Sequence, residues 1–134
     1  MALSDFPPFL TDNDPASDFA AYTRAMVGPW YDVPLASGFA YQGSSKMRVR
    51  REGGRVFFEW GISSTGITAL GVYTISTSIP AALCPPVSRY CPGVLSNNGN
   101  ATGGLILWPD GRLQFRLGGA TGSYYLFDGV TAAL

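Results

Sequence analysis

A chain of 134 residues is long enough to bury the core of one domain. It is 46 % hydrophobic and 13 % aromatic but only 13 % charged, about half the usual charged share, so its polar surface must come from Ser, Thr, Asn, Gly and backbone, as on a β-rich particle with faces covered by partners. Zero net charge removes an electrostatic case for nucleic acid or an anionic membrane, and the absence of histidine removes the commonest general base, the Ser-His and Cys-His nucleophiles and most zinc sites.

The charge is unevenly placed. Residues 1–32 hold five aspartates against Arg24 alone, so an acidic arm precedes a mildly basic body. The first residues have no basic n-region, and no apolar run reaches the roughly 18–20 residues of a membrane span, so a soluble protein made in the cytoplasm is expected. Pro7-Pro8 favours an extended path flanked by Phe6, Phe9 and Leu10. A short helix is expected next, with Asp14 as N-cap, Pro15 at the first helical position, Asp18 in the first turn and Gly28-Pro29 as the stop. Phe19, Tyr22 and Met26 form its apolar stripe. That stripe either lies on its own domain or anchors the body to a larger assembly, giving an arm over residues 1–29 and a head over residues 30–134.

From Trp30 onward the pattern is strands and turns. Trp30 to Leu35 is a short run confined to an edge by Pro34. Phe39 and Tyr41 alternate before Gly43-Ser44-Ser45. Met47 to Ile62 reads as a hairpin turning at Gly53-Gly54, with positive φ expected at both glycines. Period-2 spacing puts Val56, Phe58, Trp60 and Ile62 on one buried face, and Arg55, Phe57 and Glu59 on the other. Ile67 to Ile79 gives one or two strands. Pro80, Pro85, Pro86 and Pro92 force an irregular connection with a short strand around Val87 to Cys91. Ser96 to Asn100 is a turn.

The last third is the clearest hairpin: Leu105 to Trp108, then Pro109-Asp110-Gly111, then Arg112 to Leu117. Leu113, Phe115 and Leu117 alternate with Arg112, Gln114 and Arg116, whereas Leu105 to Trp108 is apolar on both faces, which implies burial on both sides and, at Ile106, a subunit contact. Tyr124 to Phe127 forms a final strand. The seven or eight strands are spaced as an antiparallel sandwich requires. Cys84 and Cys91 are too few for a disulfide scaffold and read as two thiols near a strand.

Little of this points to catalysis. Glu59, Asp110 and Asp128 could supply a carboxylate pair, but Asp110 before Gly111 and Asp128 before Gly129 read as turn residues, and a carbohydrate-active enzyme is the weakest reading. No phosphate loop or dinucleotide fingerprint occurs, so no cofactor and no metal are expected. Arg48, Arg50, Arg51 and Arg55 read as a solvated or edge-protecting face, with an anionic ligand or a neighbouring copy's acidic arm as the functional option. Tyr124 and Tyr125 beside a glycine-rich loop, with Trp108 beside a turn, have the make-up of an aromatic platform for sugar rings. Together with Arg116 they are the candidate ligand contacts.

In order, Trp30-Tyr31-Asp32-Val33, Gly38-Phe39, Arg48-Val49-Arg50-Arg51, Gly53-Gly54, Ile79-Pro80, Pro85-Pro86, Asp110-Gly111-Arg112-Leu113, Gly122-Ser123-Tyr124-Tyr125-Leu126 and Gly129-Val130 resemble the receptor-binding tail-tip domain of tailed-bacteriophage tail-fibre and minor tail proteins over about the last hundred residues. The resemblance implies a trimeric antiparallel β-sandwich or jelly roll, and a non-enzymatic virion protein that touches other tail or baseplate proteins and binds saccharide on the host cell wall. Phe6, Phe9, Leu10, Phe19, Tyr22 and Met26 would then anchor it to the virion, and Phe57 and Ile106 would lie in the trimer interface. Relatives carry this domain behind a fibrous stem; a short arm and helix in its place keep open a second expectation, a capsid decoration or head-fibre protein seated on the shell by the arm.

Overall fold

A computed structural model describes residues 27–134. The expected arm and helix, with Phe6, Phe9, Leu10, Phe19, Tyr22 and Met26, lie outside the described residues. Ten strands form two antiparallel sheets. The first contains β1 (Tyr31–Asp32), β2 (Arg48–Glu52), β3 (Arg55–Glu59) and β10 (Thr131–Ala133) in the order β1-β2-β3-β10. The second contains β4 (Gly61–Ser63), β5 (Gly71–Ser76), β6 (Arg89–Ser96), β7 (Ala101–Leu107), β8 (Leu113–Leu117) and β9 (Tyr124–Leu126) in the order β4-β9-β6-β7-β8-β5. The expected all-β sandwich is therefore present. β1 falls within the expected run from Trp30 to Leu35 and β4 holds the end of the expected hairpin strand; the strand that alternation does not show is β10, of three residues.

One core joins the sheets. Val49, Val56, Phe58 and Ala132 from the four-stranded sheet meet Leu105, Leu107, Leu113, Phe115, Leu117 and Tyr125 from the six-stranded one. Burying one such side chain stabilises the fold by about 1.5–3 kcal/mol.

The central hairpin forms as expected up to Glu59, with Glu52 opposite Arg55. Only Gly53 takes a positive φ, of 60°, and a positive φ at the first loop position alone is the type II′ pattern. The expected four-residue stripe then breaks. Trp60 has a φ of 63° and is 39 % exposed, so it is not a core residue. Its left-handed turn ends β3 and carries the chain into the second sheet, where Gly61 to Ser63 pair with Leu126 to Tyr124. Phe58 and Ile62 thus belong to opposite walls of the core. A non-glycine residue in that conformation costs about 1–2 kcal/mol, offset here by bonds on both sides of the residue: Trp60 N donates to Asp128 Oδ1 at 2.6 Å and Phe127 N donates to Trp60 O at 2.8 Å.

The proline-rich region holds a second departure. Instead of a short strand ending at Cys91, β6 runs through Pro92 to Ser96, with register shifts around Pro92, Val94 and Leu95. Pro92 is tolerated because β9 pairs only with Leu95 and Ser96, leaving no strand beside Pro92 on that side to need its missing N–H.

Candidate functional site

Cross-strand register places two rows of side chains on the outer face of the six-stranded sheet. Tyr90, Ile106, Gln114 and Thr74 form one row across β6, β7, β8 and β5; Pro92, Gly104, Arg116 and Val72 form the next. Their counterparts Cys91, Leu105 and Phe115 point into the core. Trp108 follows Ile106 on the outer side, and its indole N–H donates to Gln114 Oε1 at 2.7 Å. The Gln114 amide in turn donates to Thr74 Oγ1 at 3.1 Å. The polar groups of this face are therefore tied to one another, and its aromatic surfaces are held in place.

Glycine shapes the middle of the face. A Cβ at Gly104 would sit 2.8 Å from Cε2 and Cζ of Tyr90, so the phenol ring lies over bare backbone of the next strand. Tyr90 is nonetheless 51 % exposed. The Arg116 guanidinium stands 5.9 Å from the Tyr90 ring centroid, at the outer limit of a cation–π contact.

Between Trp60 and Pro109 the only charged residue is Arg89, so this wall is almost free of charge. At its margin Arg112 lies 4.3 Å over the Trp108 ring and is neutralised by Asp110, Nε to Oδ2 at 2.9 Å. The Arg112 backbone N–H, and then its guanidinium, hold the Asp110 carboxyl below its ordinary value. Arg116 is exposed and forms no ion pair among the described residues.

Of the four candidate contacts, Trp108 and Arg116 share this face, and Tyr124 is half-buried on β9 of the same sheet. Tyr125 is a correction. It is fully buried, its ring 4.9 Å from that of Phe115, and its hydroxyl accepts a 2.9 Å bond from Gly122 N. Opposite Ile62 and Ser96 it faces inward, in step with buried Phe127, so it offers no platform. The aromatic residue that the sequence reading missed is Tyr90. Tyr90 lay inside the expected strand around Val87 to Cys91, but its face was not assigned; the available signal was its alternation with the apolar Cys91.

The arginine cluster of the other sheet is mostly internal bookkeeping. Arg48 and Arg50 stack on Trp30 at 4.4 and 4.5 Å and pair with Glu59 and Glu52 respectively. Phe57, between Arg50 and Thr131 in register, is half-buried on the same outer face, away from the core as expected. Ile106, the other expected subunit contact, lies on the outer face of the six-stranded sheet beside Tyr90 and Gln114.

Asp110 serves its turn and Asp128 serves Trp60, and Glu59 is paired with Arg48. Cys84 and Cys91 are free thiols; burial pushes Cys91 up to about 11. Among the described residues no group of three or more His, Cys, Asp or Glu could hold a metal, and no helix is long and apolar enough to cross a membrane. A separate apolar cavity of about 330 Å³ is lined by Gly28, Pro29, Tyr31, Arg51, Pro80, Ala82 and Leu83. No protein-family model matches this chain, and no curated protein or solved structure matches it.

Proposed function

We propose that this chain is a structural virion protein of a tailed bacteriophage, a trimeric tail or baseplate head domain that binds saccharide on the host surface through its six-stranded sheet. The observation that carries the reading is the outer face holding Tyr90, Trp108 and Arg116: aromatic rings over a nearly uncharged wall, with hydrogen-bonding groups held in register beside them. Sugars are bound in this way, with C–H faces stacked on rings and hydroxyls met by amides and guanidinium groups. The ordered motifs from Trp30 to Val130 and the sandwich they lie in support the phage setting.

A ligand face cannot also be covered by a sister subunit. Ile106 stands among the ligand residues, so the trimer contact is assigned to the opposite sheet, around Phe57. Three heads per trimer and several trimers per particle would turn weak single contacts into firm adsorption. Purified protein is expected to bind cells of a susceptible host; absence of binding to every susceptible host overturns the reading.

The apolar cavity at Gly28 and Pro29, beside the start of the described chain, favours a second reading. In it the sandwich is a capsid decoration or head-fibre knob, seated by its N-terminal arm. Immunogold labelling of the virion separates the two, because a tail tip and a capsid surface are distinct positions.

A further inference from the structure

We infer that Tyr90 and Arg116 form a subsite for a carboxylated pyranose, a uronic or other sugar acid, on the outer face of the six-stranded sheet. The inference rests on the saccharide reading above and adds the charge of the ligand.

Three observations carry it. The Tyr90 ring lies across Gly104, where a Cβ would collide with Cε2 and Cζ, yet the residue is 51 % exposed; a flat apolar surface is thus offered to solvent on a rigid floor. Arg116, opposite Gly104 in register and in the row next to Tyr90, puts its guanidinium 5.9 Å from that ring's centroid. The remainder of the face is neutral: Gln114, Thr74, Ile106 and Val72 carry no charge, and Arg112 is already satisfied by Asp110. One ring and one cation that forms no ion pair among the described residues are therefore presented side by side.

A pyranose stacked on Tyr90 through its C–H face carries its exocyclic carboxyl to the edge of the stack, within reach of the neighbouring Arg116. The planar guanidinium donates two parallel charge-assisted N–H···O bonds to a carboxylate, whereas the hydroxyls of a neutral sugar offer it only uncharged acceptors. One cation in an uncharged wall does not make the extended basic track that a nucleic-acid strand requires. Gly104 is integral to the subsite, since any side chain there lifts the ring off the sheet.

The test uses the full-length protein and immobilised polysaccharides containing glucuronate, galacturonate or sialate, each presented intact and with its carboxyls reduced to alcohols. At least one intact polymer is expected to bind at least about tenfold tighter than its reduced form, the scale of a charge-assisted hydrogen-bond pair, with affinity falling as salt rises. Arg116→Gln, at an exposed position, is expected to erase the difference between intact and reduced polymer. Tyr90→Ala is expected to weaken binding to both. Equal affinity for intact and reduced polymers, an unaffected Arg116→Gln variant, or binding confined to a phosphate polymer such as teichoic acid overturns the inference. Adsorption to host cells without binding to any acidic polysaccharide overturns it while leaving the receptor reading intact, and loss of cell adsorption as well removes both.

Discussion

The backbone N–H of Trp60 is held 2.6 Å from Oδ1 of Asp128, and this contact secures the point at which the chain passes from one sheet to the other. Asp128→Ala leaves the left-handed Trp60 without its acceptor and is expected to cost about 1–2 kcal/mol. Asp128→Asn keeps an oxygen at the same position and should retain most of that. Urea unfolding of the two variants checks the contrast.

The residue after the crossing tolerates no side chain. A Cβ on Gly61 would fall on the carbonyl oxygen of Tyr125 in the paired strand β9. Gly61→Ala therefore has to part β4 from β9 and is expected to cost more than about 3 kcal/mol, beyond ordinary overpacking. Solubility and thermal melting read this out, with Gly54→Ala, which meets nothing within 4 Å, as the control.

Adjacent tyrosines should behave in opposite ways. Tyr125→Ala removes a fully buried ring packed on Phe115 and is expected to cost about 3–5 kcal/mol. Tyr125→Phe loses only the bond from Gly122 N, worth about 1 kcal/mol. Tyr124→Ala, at a half-buried outer position, should stay within about 1 kcal/mol of wild type. Denaturant midpoints for the three variants rank them.

Phe57 lies half-buried on an outer face whose nearest charges are paired with each other. Under the proposed function the wild-type protein sediments as a trimer, and Phe57→Asp sediments as a folded monomer. A wild-type monomer removes the trimer, and a trimeric Phe57→Asp variant moves the contact to another face.

Cys91 gives a pH signature. Its thiol is pushed from 9.0 to about 11 by burial, so the folded state holds a proton that the unfolded chain releases earlier. The associated stability is fully present below pH 9.0, falls as the pH rises, and is gone above about 11. The melting temperature of wild type relative to Cys91→Ala should decline across that window. Below it, a disulfide reagent should reach Cys91 only on unfolding.

The legible part of the fold was the part with regular alternation. Leu113, Phe115 and Leu117 announced their strand, and Pro109-Asp110-Gly111 announced its turn, because each position obeyed one local rule. Trp60 was read wrongly because period 2 continues through it in the sequence; its reversal depends on Asp128, far along the chain, which no local window contains. Tyr125 could not be assigned a face from a Tyr-Tyr pair alone, since its direction is set by pairing with Ile62 and Ser96. Tyr90 lay in the expected strand from Val87 to Cys91, but its outward face is set by the pairing with Ile106, which no local window contains. The candidate site was thus half visible: Trp108 and Arg116 could be read from their hairpin, but the glycine floor under Tyr90 exists only through cross-strand register.

The tip of the β2–β3 hairpin gathers both ends of the described chain. Val27 bridges to Glu52 on one side of the tip, and Leu134 N donates to Gly54 O on the other. The described chain therefore enters and leaves the sandwich at the same corner. A passenger attached after Leu134 would thus sit beside the entry point of the sandwich, at the end of the molecule marked by the Gly53-Gly54 turn.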